Sequence, residues 1–520
     1  MAEQYKYESL TPPQYNLTTK LVDEMVEKGL GDKVLVYYQD KTYTYRDIQS
    51  MVNKAGNALR TLGVQIEGRV MLVMYDSPEA MASFFGAVKI GAIPVPVNYM
   101  FTRHDYRYLL NNSRARTLIA DADFIEEIEG FSDSFLYLKN TIVVGETSKP
   151  HHIGFHDLIS RSSDELAAAY TTSDDAAFWN YTSGSTGTPK AAVHLQHDAF
   201  TCIDGFARAT LGITGDDIIF SASKFFFSYG LGNSFFFPLG TGAAVVLLPD
   251  RPLPGTVLAT IERYRPTIFC GIPTLYANIL QTEDAEKYDL SSLRICISAG
   301  ESLPRDIFFR WKERFGIEIL EHIGSTEMVQ AFISNRPGDV KPGSTGKVVP
   351  GYSVRIVDDS GNDVPDGEIG SILVKGDSAA AYYYRNHEKT KASMLGEWFR
   401  TGDQFYKDAE GYYYYCGRDD DMLKVGGIWV SPIEVEDSLI SHPAVLEAAV
   451  VAKNDERDLV KPKAFIVLKK DYAPSEELSK DIQDFVKKNL APYKYPRWVE
   501  FVNDLPKTAT GKIQRYKLRE

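Results

Sequence analysis

The chain has 520 residues, 44% of them hydrophobic and 24% charged, and a net charge of −13. At roughly 150 residues per domain this exceeds one hydrophobic core and implies about two to four structural units, and the composition excludes a disordered or fibrous chain. Residues 421–520 carry 17 Lys+Arg against 16 Asp+Glu, so the acidity sits in the first 420 residues; without a basic face, nucleic-acid binding is excluded.

In chain order, "DKVLVYYQDKTYTY" predicts two strands and a turn, "YRDIQSMVNKAGNALRTLG" an amphipathic helix ending at Gly63, and "RVMLVMY" a buried strand. "EAMASFFGAVKIGAIPVPVN" then reads as helix, glycine, strand. The same rhythm continues through "ARTLIAD", "IIFSAS", "AAVVLLP", "PTIFCGIP", "RICISAG" and "IEILEHIG", the pattern of parallel sheets in an α/β architecture. After about residue 350, "YSVRIVDDSGNDVPDGEIGSILVKG" predicts a small antiparallel β unit. The last hundred or so residues, with "AVLEAAVVAK", "KPKAFIVLK" and the helical "SEELSKDIQDFVKKNL", are enough for a separate small domain.

The four cysteines, Cys202, Cys270, Cys296 and Cys416, lack metal-binding spacing and give no disulfide framework, which fits a reduced cytoplasm. No export signal opens the chain, and its most apolar run is short and broken by Pro and Gly, so no membrane span is expected.

Polar motifs follow the predicted buried strands, where open α/β sheets place their ligands. "YTSGSTGTPK" (Tyr181–Lys190) has the small residues, hydroxyls and lysine of a phosphate cradle. It is not a Walker A loop, because Gly184 and Gly187 are three apart and Lys190 is followed by Ala191. "SAGESLP", "IGSTEM", "FRTGDQ", "GRDDDMLKVGG" and "PKTATGKIQR" complete the set.

In this order and spacing, the motifs resemble those of the acyl-adenylating superfamily of acyl-CoA synthetases, peptide-synthetase adenylation domains and beetle luciferases. The likeness spans essentially the whole chain. It implies a large N-terminal domain of stacked α/β subdomains with a small β unit (1–418), a hinge (419–421) and a small mobile α+β C-terminal domain (422–520). It also implies ATP and coenzyme A as co-substrates, Mg²⁺ as cofactor and a small carboxylic acid as partner, with neither nucleic acid nor membrane and with a homodimer left open.

By that resemblance Ser183, Ser185, Thr186 and Lys190 hold the departing phosphates, Glu327 holds Mg²⁺, and Thr326 donates to the α-phosphate. Gly300 and Glu301 lie on the adenine side, Gly324 and Ser325 belong to the nucleotide site, and Asp403 with Arg418 takes the ribose. Lys512 bridges the acid and the α-phosphate, Asp420 is the pivot, and Gly426 and Gly427 let the pantetheine thiol pass.

Within the superfamily the chain is most similar to benzoate-CoA ligases and their aryl-acid relatives. This implies an acyl pocket of Phe227, Ser228, Tyr229, Gly324, Gln330, Ala331 and Ile333, with Lys424 near the carboxylate. The benzoate enzymes carry Ala, His and Ile where this chain has Ser228, Gln330 and Ala331, so a roomier, more polar cavity is expected. Substituted benzoates, alicyclic acids and small branched hydroxy acids all remain open, as does a freestanding adenylation enzyme that loads a carrier protein.

Overall fold

A computed structural model describes residues 13–147, 149–183, 189–425, 428–456, 459–507 and 513–519. Its largest sheet has nine strands. Six adjacent ones run parallel, in the order Ile319–Gly324, Ile295–Ser298, Ile268–Gly271, Ile218–Ser221, Ala244–Leu247, Val34–Tyr38. Helices follow the four inner strands of this run, as short apolar strands buried on both faces require. The predicted hairpin closes one edge, with Lys41–Thr44 antiparallel to Val34–Tyr38. At the other end of the parallel run Ala331–Ser334 folds back antiparallel on Ile319–Gly324, placing Gly324 opposite Ala331 and Ile323 opposite Ile333, and Lys347–Val348 forms the edge beyond it. This reversal, which strand-by-strand reading does not predict, brings two of the sequence motifs together.

A second sheet of five parallel strands, Ile93–Pro96, Arg69–Val73, Thr117–Asp121, Asn140–Val144 and His152–Gly154, packs beside the first. The sequence-predicted helix between the sheets spans Tyr45–Thr61. Thr44 and Asp47 form its capping box, and Leu62 and the positive-φ Gly63 end it. It buries Ile48, Val52 and Leu59, each contributing about 1.5–3 kcal/mol. Its contact with the helix Pro78–Lys89 is made through glycine, since a Cβ on Gly86 would lie 2.8 Å from the Gly56 nitrogen. That crossing tolerates nothing larger.

Strands Ala176–Ser183 and Pro189–Leu195 form a hairpin extended by Tyr382–Tyr383. The small antiparallel unit comprises Ser353–Val357, Gly370–Lys375, Met394–Leu395, Trp398–Lys407 and Tyr413–Arg418. The chain then turns at residues 418–422, where Arg418 O accepts from the Asp421 and Met422 N–H groups. Beyond it lie a short hairpin, the sheet Val445–Asn454, Val460–Leu468, Trp498–Phe501, and the helices Pro432–Ile440 and Glu476–Asn489. This unit has its own core, including Val435, Val450, Ile466, Ile482 and Val486.

All four cysteines are free and buried. Among the described residues no helix is long and apolar enough to cross a membrane.

Candidate active site

The site is built at the end of the strand Ile319–Gly324. Gly324 is required there because a Cβ would lie 2.4 Å from the Gln330 carbonyl oxygen. Thr326–Met328 form one 3₁₀ turn, and the chain reverses through Val329 at φ 66° and ψ −53°. The Gln330 N–H donates to Met328 O at 2.8 Å, which makes a γ-turn on a β-branched residue. Such a conformation costs on the order of 1–3 kcal/mol and persists only when its surroundings hold it.

Three bonds do so. The His194 Nε2–H donates to Thr326 O at 2.8 Å, the Ala380 N–H to Glu327 O at 2.7 Å, and the Ser378 hydroxyl to Met328 O at 2.8 Å. His194 is itself fixed, its Nδ1 lying 2.8 Å from Asp198 Oδ2 with both side chains fully buried.

The turn aims Glu327 inward. Its Oε1 accepts a 2.6 Å hydrogen bond from the Tyr383 hydroxyl. Lys190 Nζ stands 4.5 Å from the centre of the Tyr383 ring. Burial lowers the lysine's pKa while the charge of Glu327 opposes that shift, and the charges of Glu327 and Arg418 both reach it. A buried carboxylate with one oxygen held by a phenol is a hard oxygen donor of fixed direction, which fits magnesium.

Asp403 and Arg418 are register partners on neighbouring strands. The Arg418 Nη1 donates to Asp403 Oδ1 at 3.0 Å and to Thr401 O at 3.1 Å. The attraction of Asp403 raises the guanidinium's pKa further.

Gly300 has φ +94° and open space where a side chain would stand. Beside it, Glu301 Oε1 accepts from the Ile513 N–H at 3.0 Å, a contact between the large body and the C-terminal unit. The side chain of Ser183, and Ser185, Thr186, Gly426, Gly427 and Lys512, lie outside the described residues. The residue after Lys512 is thus tied to the predicted adenine-side segment.

Phe227, Ser228 and Tyr229 open the short helix after "KFF", and Gly230 is needed because a Cβ would strike Lys224 O. The Tyr229 hydroxyl reaches Gly271 O at 3.1 Å and Ile297 O at 3.2 Å, at the ends of two parallel strands. Gln330 Nε2 donates to Tyr229 O at 3.1 Å. Ala331 and Ile333 are fully buried on the reversed strand, which Lys347–Val348 covers on its other side.

The structure does not bring Lys424 to this group. It is exposed on the C-terminal unit's hairpin, its ammonium 5.2 Å from the Trp429 ring. Asp420 is likewise exposed in the connecting turn, its carbonyl accepting from Arg519 at 2.7 Å.

Sequence reading missed His194, Asp198 and Tyr383, and it missed the buried polar residues around Tyr229. His322 packs at a tilt against Phe206 and Tyr229, with ring centres 4.8 and 5.4 Å apart. Among the described residues, neither ring nitrogen of His322, neither amide atom of Asn233 nor the Ser298 hydroxyl has a well-formed hydrogen bond. Burial holds His322 neutral, its pKa lowered to about 3. The only sequence signal was the histidine two residues before "GSTE" in a run otherwise read as strand.

Residues 23–384 match the AMP-binding enzyme family and residues 434–512 match the AMP-binding enzyme C-terminal domain. The chain belongs to the AMP-binding enzyme family. It is 46% identical over 510 residues to a benzoate–CoA ligase of Thauera aromatica, covering 98% of this chain and 96% of that one. A 4-hydroxybenzoate–CoA/benzoate–CoA ligase of Rhodopseudomonas palustris is 42% identical, covering 97% and 94%. Among solved structures, an anthranilate CoA ligase in complex with anthranoyl-AMP superposes with a TM-score of 0.94 at 44% identity, covering 98% of each chain. A benzoate CoA ligase from Burkholderia xenovorans gives 0.90 at 43%, covering 97% of this chain and all of that one.

Proposed function

We propose that the chain is an ATP-dependent, AMP-forming ligase that joins an aromatic acid to coenzyme A. The observation that carries this is the cluster of Lys190, Glu327 and the Asp403–Arg418 pair, contributed by three different sheets, together with Ile513 docked on Glu301. The full-length relatives named as benzoate and hydroxybenzoate CoA ligases support the same reading.

In the first step a carboxylate oxygen of the acid attacks the α-phosphorus of ATP, and the bond to pyrophosphate breaks. Lys512 offsets the repulsion between the two anions, and Lys190 with the 183–188 loop takes the charge gathering on the leaving group. Glu327 would hold Mg²⁺, which when bound neutralises phosphate charge. Tyr383 and His194 keep that carboxylate and its turn in place. Asp403 accepts from the ribose hydroxyls, oriented by Arg418. In the second step the thiolate of coenzyme A attacks the acyl carbonyl and AMP leaves. We assign the hinge to residues 419–421, with the C-terminal unit from 422 turning to withdraw Lys512 and present Gly426, Gly427 and Lys424.

For the acid, the reading is a benzoate carrying a hydroxyl or amino group. Buried polar atoms without a well-formed hydrogen bond are costly, about 1–3 kcal/mol each when left unsatisfied, and a ligand or water can complete them. His322, Asn233 and Ser298 supply both donors and acceptors beside Tyr229 and Gln330.

The test is a panel of benzoate, hydroxybenzoates, aminobenzoates and cyclohexane carboxylate with ATP and CoA, scored by AMP and pyrophosphate release. Polar-substituted rings should have the highest kcat/KM. A preference for unsubstituted benzoate or the alicyclic acid would overturn the choice of acid, and failure to form thioester with free CoA would favour carrier-protein loading.

A further inference from the structure

Well away from this site, the helix Ala122–Glu129 ends against the connection between the strands Asn140–Val144 and His152–Gly154. Glu129 is the helix's last residue, where a negative charge meets the negative end of the helix dipole and a neighbouring cation is favoured. Its Oε1 faces two imidazoles, with His152 Nε2 at 2.7 Å and His151 Nε2 at 3.2 Å. The two rings belong to consecutive residues yet converge, their centres 4.4 Å apart. Among the described residues this is the one group of three His, Cys, Asp or Glu side chains whose ligand atoms all lie within 4.8 Å of one another.

We propose that Glu129, His151 and His152 form a binding site for a zinc-like divalent cation, with water in the fourth position. Two imidazoles and a carboxylate are a three-ligand zinc set of the kind that leaves one position open.

The surroundings are arranged as the outer shell of such a site is. The Thr147 hydroxyl lies 2.6 Å from His152 Nδ1, so it can accept that N–H and leave Nε2 for the metal. Lys149 donates to Glu129 Oε2 at 2.6 Å, which orients the carboxylate and leaves Oε1 directed at the imidazoles. The His152 side chain is 1% exposed and that of Glu129 9%, whereas His151 is 63% exposed and provides the way in.

At metal–ligand distances of about 2.0–2.2 Å, tetrahedral ligand atoms stand about 3.3 Å apart, so the site opens by about half an ångström to admit the ion. Binding would clip the helix's C-terminus to the edge strand of the second sheet. Nothing in the adenylation chemistry uses it.

The experiment titrates Zn²⁺ into chelator-stripped full-length protein by calorimetry, alongside H151A. The His151 side chain is exposed and its loss should leave the fold intact. Wild type should bind one equivalent more tightly than about 10 μM and show a raised Tm; H151A should weaken that event about tenfold or more. Co²⁺ as a spectroscopic stand-in should give tetrahedral d–d bands that H151A loses. Absence of binding, or binding that H151A weakens less than tenfold, would overturn the proposal. CoA ligase activity in Zn²⁺-free buffer should be the same in both proteins.

Discussion

Tyr383 and Glu327 are joined by a 2.6 Å hydrogen bond although 56 residues separate them in sequence. The tyrosine reaches the carboxylate because Tyr382–Tyr383 adds a third strand to the hairpin that carries Lys190. One phenol therefore touches both groups expected to handle phosphate, donating to the carboxylate and presenting its ring to the ammonium.

Tyr383→Phe keeps the ring under Lys190 and removes only the hydroxyl. The expected result is an apparent Mg²⁺ requirement raised about tenfold or more in pyrophosphate exchange. Thioester formation from supplied acyl-adenylate should change little. An unchanged Mg²⁺ titration would show that Tyr383 does not position Glu327.

Lys512→Ala should abolish adenylate formation while sparing thioester formation from supplied acyl-adenylate. Asp420→Pro should show the opposite bias, because a rigid φ in the connecting turn restricts the rotation needed for the second step. Measuring both half-reactions on both variants checks the pair. Equal losses in the two half-reactions would remove the lysine from its assigned step and the aspartate from the hinge.

His194→Leu leaves Asp198 and the Thr326 carbonyl buried without their shared partner. Stripping one member from a buried pair of this kind costs about 3–5 kcal/mol, to be read from urea denaturation. The γ-turn at Val329 loses one of its three holding bonds, so pyrophosphate exchange should fall further than the stability loss alone would bring about.

Glu321 gives a pH prediction. Burial raises its pKa from 4.5 to about 8, with the nearby Asp437 of the C-terminal unit adding to the shift and the Leu303 N–H opposing it. Between those values the native carboxyl keeps a proton that the unfolded chain has released. Stability therefore falls as pH rises from about 5 to 8, by on the order of 1 kcal/mol per unit, and the effect levels off above 8. Glu321→Gln keeps an acceptor for Leu303 and has no proton to lose. Its Tm relative to wild type should rise from pH 5 to pH 8, and parallel profiles would contradict the assignment. Asp437 is also raised to about 8, chiefly by burial and then by Glu436, and would leave a residual slope in the variant.

The parallel strands were legible because each is a short apolar run bounded by turn residues, from "RVMLVMY" to "IEILEHIG". The C-terminal helix was legible because Ser475 caps it and Ile482 and Val486 sit one turn apart on its buried face. What could not be read was pairing between distant segments. Nothing local in "AAYYYRN" says that Tyr382 and Tyr383 will lie against Val193 and Ala192, so the partner of Glu327 stayed hidden.

The same applies to His322, since a histidine on a strand faces either the packed interior or a pocket and only the fold decides which. Lys424 shows the limit of reading by resemblance. In the rotation proposed above its place would depend on how the C-terminal unit is turned; with Ile513 held by Glu301 it is exposed.

The bond between Ile513 and Glu301 is unusual in what can alter it. Its donor is a main-chain N–H, which every residue except proline supplies. Drift at position 513 to any residue but proline thus keeps the donor, and the side chain that sets the acceptor is Glu301. Replacing Glu301 by Gln or Ala would weaken the hold on Ile513 without touching Lys512. In the mechanism proposed above, the balance between the two half-reactions would then be adjustable from one carboxylate on the larger body.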